Sequence, residues 1–400
     1  MTVPRVSRLL VTLLRPILRA WLWWRFRVSV VQDENVGALK PPLVILPNHV
    51  NFWDPFLVGL TMRYPIYYVA ADGNFRSTLM RFLLPKVGGI PKAKARNDME
   101  SIRTLQALIV RRRAIVLFAE GQRNWDGVSR PVMSGTDKLV RLLGAPVLAI
   151  RLRGAYLATP RWARNLRRGP VIIEKELILT PEELRRLPRS EIEGRINAAI
   201  AVDETAWQRR SGHLYHSPRR AEHLEWAIFH CPACGTDGSI RSRGNEFFCS
   251  VCGETHWIAP SGRLYRREPV IGFTAPRLPD IHTWNDLQRE VLRNRLTEAV
   301  RDRRGDILTV DRCLYSRGYR SRALRRQGHV SIRIDWDRIV IDPPGTEIPI
   351  DRISGVHVQY IEQLEFYANR RLHVFRILEP HDSAYRIERT LEELYRLTHN

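Results

Sequence analysis

The segment Asn48-His49-Val50-Asn51-Phe52-Trp53-Asp54-Pro55 sets an imidazole and a carboxylate five positions apart. A neutral imidazole, with an ordinary pKa of about 6.5, can take a proton from a hydroxyl near neutral pH. A neighbouring carboxylate can hold the ring in one tautomer and stabilise the imidazolium that forms. Five residues apart on a continuous helix, the two side chains would point about 140° away from each other. The pair therefore works only if His49 lies on a loop and Asp54 starts the following helix. Asp followed by Pro supplies such a start, as N-cap and first helical residue. The plainer alternative makes Asp54 a cap and His49 an ordinary loop residue.

A second cluster, Phe118-Ala119-Glu120-Gly121-Gln122-Arg123, ends an apolar run. Gly121 lets the backbone turn and approach a ligand closely. Arg123 offers a planar fork for a phosphate, and Glu120 could fix that fork or accept a ligand hydroxyl. A third cluster is Cys231-x2-Cys234, fourteen residues, then Cys249-x2-Cys252, each pair followed by a glycine, Gly235 and Gly253. Four thiolates at this spacing are expected to hold a structural zinc ion in a ribbon, with no cofactor for catalysis. His256 lies close by, but four cysteines already saturate the metal. Cys313 stands alone, and this cysteine usage suits a reducing compartment rather than a disulfide framework. Between Cys231 and Cys252, Arg241 and Arg243 balance Asp237 and Glu246, so the ribbon is neutral and no nucleic-acid partner is expected.

The elements that must position these groups follow from apolar patterning. Leu43–Leu46 reads as a buried strand running into the His49 loop. Strands are also expected over residues 66–70, 114–120, 145–152 and 170–179, with helices over 55–62, 75–84, 98–112 and 134–143 between them. Such alternation argues an α/β layer fold. Thr180-Pro181 opens a charged helical segment reaching about residue 210. Composition shifts near Ser211, and a Pro-rich joint over 260–280 leads to a polar helix near 283–303. The last hundred residues read as strands, clearest in HVSIRIDWDRIVID, with TEIPI, GVHVQYI and LHVFRIL as further members. A helix, TLEELYRL, closes the chain, and the element order resembles a PH-like barrel.

At its motifs the chain resembles the glycerolipid acyltransferase family, typified by 1-acylglycerol-3-phosphate acyltransferase. The family's first block, N-H-x4-D, is intact as Asn48, His49 and Asp54. Its third block, typically F-P-E-G-T-R-S, keeps Phe118, Glu120, Gly121 and Arg123, with Gln122 and Asn124 in place of small hydroxyl residues. Its second block, typically G-x-I-P-I-D-R, keeps Gly88, Ile90 and Pro91 and has Lys94 where arginine is usual. The fourth block matches Ala145-Pro146-Val147-Leu148-Ala149-Ile150. The resemblance covers roughly residues 30–210. It implies a mixed sheet with flanking helices, like that of glycerol-3-phosphate acyltransferases. It further implies that His49, assisted by Asp54, is the general base for direct attack of an acceptor hydroxyl on an acyl thioester. Asn48, Lys94, Glu120, Gly121 and Arg123 would bind a lysophospholipid acceptor, and the donor would be acyl-CoA or an acyl carrier protein.

The chain carries a net charge of +22, with 64 basic residues of which only six are Lys. Part of that excess reflects an Arg-biased composition, but its placement is informative. Residues 1–31 hold six Arg and no acid. Wound at about 100° per residue, Arg5, Arg8, Arg15 and Arg19 share one face, opposite Leu10, Leu13, Leu14, Ile17, Trp21 and Trp24. This is the pattern of a helix lying at an anionic membrane surface rather than crossing it. The expected organisation is an interfacial helix over 1–27, an acyltransferase domain over 28–215, a zinc ribbon over 225–258, a linker helix over 281–304 and a β-rich domain over 305–400. The whole would sit peripherally on the cytoplasmic face of a membrane. The rival readings are a non-catalytic membrane adaptor on the same fold and a zinc-dependent nucleic-acid-binding protein.

Overall fold

The computed structural model describes residues 6–92, 99–267, 277–319 and 322–399. The chain divides into two units, one running to Arg161 and resuming over Leu166–His216, the other formed by Trp162–Asn165 and the chain from Ser217 onward.

In the first unit the apolar runs form a seven-stranded sheet of β1 (Ser29–Val31), β2 (Leu43–Pro47), β3 (Ile66–Ala71), β4 (Gly89–Lys92), β5 (Ala114–Val116), β6 (Val147–Arg153) and β7 (Ile172–Leu179). The strand order is β1-β7-β6-β2-β5-β3-β4. Strands β6, β2, β5, β3 and β4 run parallel, while β7 is antiparallel to β6 and parallel to β1. The mixed α/β sheet expected from the sequence is present. Helices α1 (Arg8–Phe26), α2 (Glu34–Ala38), α3 (Asp54–Thr61), α4 (Thr78–Lys86), α5 (Met99–Val110), α6 (Thr136–Leu143), α7 (Ala155–Ala158), α8 (Pro181–Arg186), α9 (Arg189–Ile200) and α10 (Glu204–Ser211) flank it. Two apolar clusters fill its two faces, one under α1 and α3, the other under α5, α6 and α9. Thr180 forms a full capping box with Glu183 at the start of α8. The strand expected over 114–120 is shorter, because the chain leaves the ladder after Val116 to deliver the Glu120 turn.

Helix α1 has two apolar faces. Leu22 and Phe26 are buried in the core, with Leu18 and Trp23 packed beside them. Leu9, Leu13, Ile17 and Trp24 are exposed, at 58–72% of their full accessibility. Arg15, expected on the basic face toward anionic lipid, instead donates to the Met62 carbonyl at the end of α3. The reason is local: the last-turn carbonyls of a helix lack intrahelical donors and attract cations. Arg5 lies outside the described residues.

The second unit begins with the four cysteines and an antiparallel sheet of β8 (Ile240–Arg243), β9 (Glu246–Cys249), β10 (Thr255–Ile258) and β11 (Leu264–Arg266). Helix α11 (Ile281–Arg301) precedes a second seven-stranded antiparallel sheet of β12 (Leu308–Gly318), β13 (Arg325–Ile334), β14 (Arg338–Asp342), β15 (Thr346–Pro349), β16 (Ser354–Gln359), β17 (Gln363–Ala368) and β18 (Arg371–Ile377). Helix α12 (Ala384–His399) ends it. The strand order is β15-β14-β13-β12-β18-β17-β16. HVSIRIDWDRIVID, read as one strand, is a hairpin: the Asp335 amide donates to the Arg338 carbonyl, and the chain reverses at Asp335-Trp336-Asp337. The eleven-residue β12 escaped the sequence reading because its polar positions mask its alternation. Residues 268–276 of the Pro-rich joint lie outside the described residues.

Candidate active site

Strand β2 is central, with β5 and β6 as its parallel neighbours. Parallel pairing brings the carboxyl ends of β2 and β5 together, which is where open α/β sheets place their ligands. His49 follows β2 and Glu120 follows β5, so two motifs 71 residues apart meet. The His49 amide donates to Glu120 Oε1 at 2.7 Å, and the Asn124 amide donates to the His49 carbonyl at 3.1 Å. Both ends of the His49 residue are thus held by the second motif.

His49 lies on the loop and Asp54 is the first residue of α3, the arrangement the five-residue spacing demands. His49 Nδ1 lies 2.8 Å from Asp54 Oδ2. The same oxygen accepts the amides of Val50 at 2.6 Å and Asn51 at 2.8 Å. Asp54 therefore does not act as a helix cap: its carboxylate turns back on the loop, and Trp53 occupies the cap position. The Asp54 side chain is fully buried, while the His49 ring is 20% exposed and stacks on Phe118 with centroids 4.1 Å apart. With Nδ1–H donated to a buried carboxylate, Nε2 is the basic nitrogen of the ring.

The remaining motif residues divide by position. Asn48 is fully buried, and its Oδ1 accepts the Leu152 amide of β6 at 2.7 Å. It fastens β2 to β6, and its Nδ2 is buried without a hydrogen-bond partner. Glu120 is also buried, and its second oxygen accepts the Arg130 amide at 2.8 Å. Its carboxylate braces backbone rather than Arg123, since burial in a loop requires acceptors for exposed amides. Gly121 has φ +73°, a left-handed conformation that favours glycine, and a Cβ there would press on the Met133 side chain. Arg123 is half-buried, and its carbonyl accepts Arg161 Nη1 at 2.8 Å. Arg161 in turn lies 4.1 Å over the Trp125 ring. Asn124, which stands where the family's third block has a small hydroxyl residue, is buried and ties the loop together through its amide and through Oδ1 to Gly127. Lys94 lies outside the described residues. Phe118 and Asn124 were legible only as positions of the third block, without a role, since an apolar residue and a loop Asn acquire roles only from what folds against them.

Residues 27–153 match the acyltransferase family model. The match covers 127 of the 400 residues, all in the N-terminal half of the chain. Among curated relatives, a chloroplastic 1-acyl-sn-glycerol-3-phosphate acyltransferase of Brassica napus is 24% identical over 144 residues, covering 35% of this chain and 41% of that protein. A 1-acyl-sn-glycerol-3-phosphate acyltransferase of Borreliella burgdorferi is 26% identical over 148 residues, covering 36% of this chain and 59% of its own. The chain therefore spans about two fifths to three fifths of the length of these relatives. The solved acyltransferase PlsC of Thermotoga maritima aligns with a TM-score of 0.42 at 15% identity, over 50% of this chain and 79% of that one.

Burial pushes the Glu120 carboxyl up to about 8, against the opposing pull of the Arg130 and His49 amides. Its folded-state pKa thus lies above the ordinary 4.5, so its share of stability is complete below that value and is lost as pH rises through about 8. Glu120→Gln removes this titration and leaves one backbone amide facing an NH2 group, at a cost of about 1–3 kcal/mol. Denaturant midpoints should fall less between pH 5 and 8 in the variant than in the parent chain. Parallel pH profiles would show that Glu120 does not titrate in that window.

Proposed function

We propose that the chain is a peripheral membrane acyltransferase moving a fatty acyl group from a thioester donor to the hydroxyl of a lysophosphatidic-acid-like acceptor. The observation that bears most weight is the 2.8 Å contact of His49 Nδ1 with the buried Asp54 carboxylate, at the carboxyl end of the central strand. In this reading His49 Nε2 takes the acceptor's hydroxyl proton as the oxygen attacks the thioester carbonyl carbon. The C–S bond then breaks, and the departing thiolate recovers a proton from the imidazolium. Asp54 holds the tautomer and offsets the imidazolium charge. Arg123, beside the Gly121 turn, together with Lys94, would hold the acceptor phosphate. Acyl-CoA or an acyl carrier protein would serve as donor, and the names of the relatives support a lysophospholipid acceptor. Purified protein with both kinds of donor and a panel of lysophospholipids should release thiol. His49→Ala should lower that rate roughly 10²–10⁴-fold without loss of fold. Equal release from the variant, or none from the parent, would count against the enzyme.

The membrane association rests on the exposed face of α1 and on a feature the sequence reading passed over. The Ser7 amide donates to the Lys86 carbonyl at 2.8 Å, which joins the start of α1 to the end of α4. Helix α4 exposes Leu79 and Phe82, each at 60%. Two neighbouring helices thus present apolar side chains, and large exposed apolar faces mark membrane or partner contacts. No helix among the described residues is long and apolar enough to cross a membrane. Replacing Leu13, Ile17 and Trp24 with serine should reduce flotation with vesicles; unchanged flotation would sink this part of the reading.

The four cysteines are proposed to hold a structural zinc ion. Their sulfurs lie within 4.8 Å of one another, with 3.7 Å between Cys231 and Cys252 and between Cys234 and Cys249. Thiolates about 2.3 Å from a tetrahedral zinc stand about 3.8 Å apart, far from the ~2.05 Å of a disulfide. Gly235 and Gly253 adopt φ +73° and +77°, and their amides donate to Cys231 and Cys249, closing two like turns. His256 is buried against Phe247 and Trp284, away from any ligand role. The ribbon is a brace: Asp237 accepts His230 Nδ1 at 2.7 Å, and Arg295 of α11 and Arg386 of α12 at 2.8 Å each. Elemental analysis should give about one zinc per chain. A value well below one would overturn the assignment.

A further inference from the structure

The end of the second unit's sheet where β12 turns into β13 and β17 into β18 is unusually basic. Among the described residues, 316–319, 322–328 and 367–373 together hold six Arg and no Asp or Glu. The register brings several of these arginines onto one face. Arg317 of β12 lies directly opposite Arg325 of β13 and, on its other side, directly opposite His373 of β18. Arg371 lies two residues before His373 on the same strand and so shares its face. Three guanidinium groups therefore ring one mouth of the sheet, with Arg326 and Arg370 exposed beside them.

This arrangement is costly in the protein alone. Like charges directly opposed across an antiparallel pair destabilise it. Among the described residues, no carboxylate pairs with Arg317, Arg325, Arg326, Arg370 or Arg371, and Arg317 Nε is buried without a hydrogen-bond partner. The floor of the mouth gives no relief. Tyr315 Oη and His373 Nδ1 are 2.8 Å apart in the core, stacked with Phe375 and Phe366. Burial first, and then Arg317 and Arg371, hold the His373 pKa down to about 4, so the imidazole is neutral. A rim of cations over a neutral, aromatic floor favours an anion.

We propose that this rim is a second membrane-docking site, in which Arg317, Arg325 and Arg371 seat the phosphate of an anionic phospholipid headgroup in a bilayer. Two features favour a bilayer over a nucleic acid. The arginines converge on one mouth instead of tracking a line of phosphates at nucleic-acid spacing. Tyr319, 40% exposed, stands at the tip of the same hairpin, where an amphipathic ring reaches headgroup depth. The site would belong to the C-terminal unit and act independently of catalysis.

The test is vesicle flotation of the full chain without acyl donor, so its outcome is separate from that of the activity assay. To silence α1, the Leu13, Ile17 and Trp24 serine substitutions are present throughout. This chain should bind phosphatidylcholine vesicles containing phosphatidylglycerol and ignore phosphatidylcholine alone. Adding Arg317→Gln, Arg325→Gln and Arg371→Gln should weaken binding on the order of 100-fold. The charge-matched set Arg312→Gln, Arg333→Gln and Arg352→Gln should change it only a few-fold. Because the rim substitutions remove an opposed like-charge pair, the melting temperature should hold or rise. No binding before the rim is altered, equal loss from both sets, or a lower melting temperature would each overturn the proposal. So would loss of short duplex DNA binding with vesicle binding retained.

Discussion

Everything at the candidate site depends on one carboxylate oxygen. Asp54 Oδ2 accepts His49 Nδ1 and the amides of Val50 and Asn51 at 2.6–2.8 Å. A buried carboxylate is costly unless it is hydrogen-bonded, and these donors supply what water no longer can. In return the loop between strand and helix is tied to the start of α3, and the imidazole is aimed. The Glu120 bond to the His49 amide and the Asn124 bond to its carbonyl close the arrangement from the other side. The ring is thus positioned by two segments, 49–54 and 120–124, that would be independent in the unfolded chain.

The sheet makes this possible. Because β2 and β5 run parallel side by side, the turns after them open at the same edge, and β6 supplies the Leu152 amide that fixes Asn48. Helix α1 reaches the same region: Trp21 and Trp53 lie 4.9 Å apart, so the helix read as interfacial also touches the His49–Asp54 loop. Its buried Leu22 and Phe26 and its exposed Leu13 and Ile17 show how one helix can pack on a core and still present an apolar face outward.

In the second unit, polar residues do the organising. Asp237 gathers His230, Arg295 and Arg386, and Trp284 Nε1 donates to the His230 carbonyl, so the cysteine turns are joined to α11 and α12. The arginine mouth at the β12–β13 and β17–β18 hairpins follows the opposite logic, since among the described residues no carboxylate pairs with the opposed cations there.

The residues themselves determined the local chemistry. The five-residue spacing with Pro55 required a loop His and a helix-starting Asp, and the paired Cys-x2-Cys turns needed the glycines that follow them. Apolar runs announced the strands of the first sheet, because burial on both faces leaves a continuous signature. Tertiary structure decided what local pattern does not encode. It gave Asn48 and Glu120 backbone amides to hold, since only neighbouring strands reveal which amides need acceptors. It split one apparent strand at Asp335 and turned Arg15 inward onto Met62. It also opposed Arg317 to Arg325, because register, and with it the company each side chain keeps, is set by strands distant in the chain.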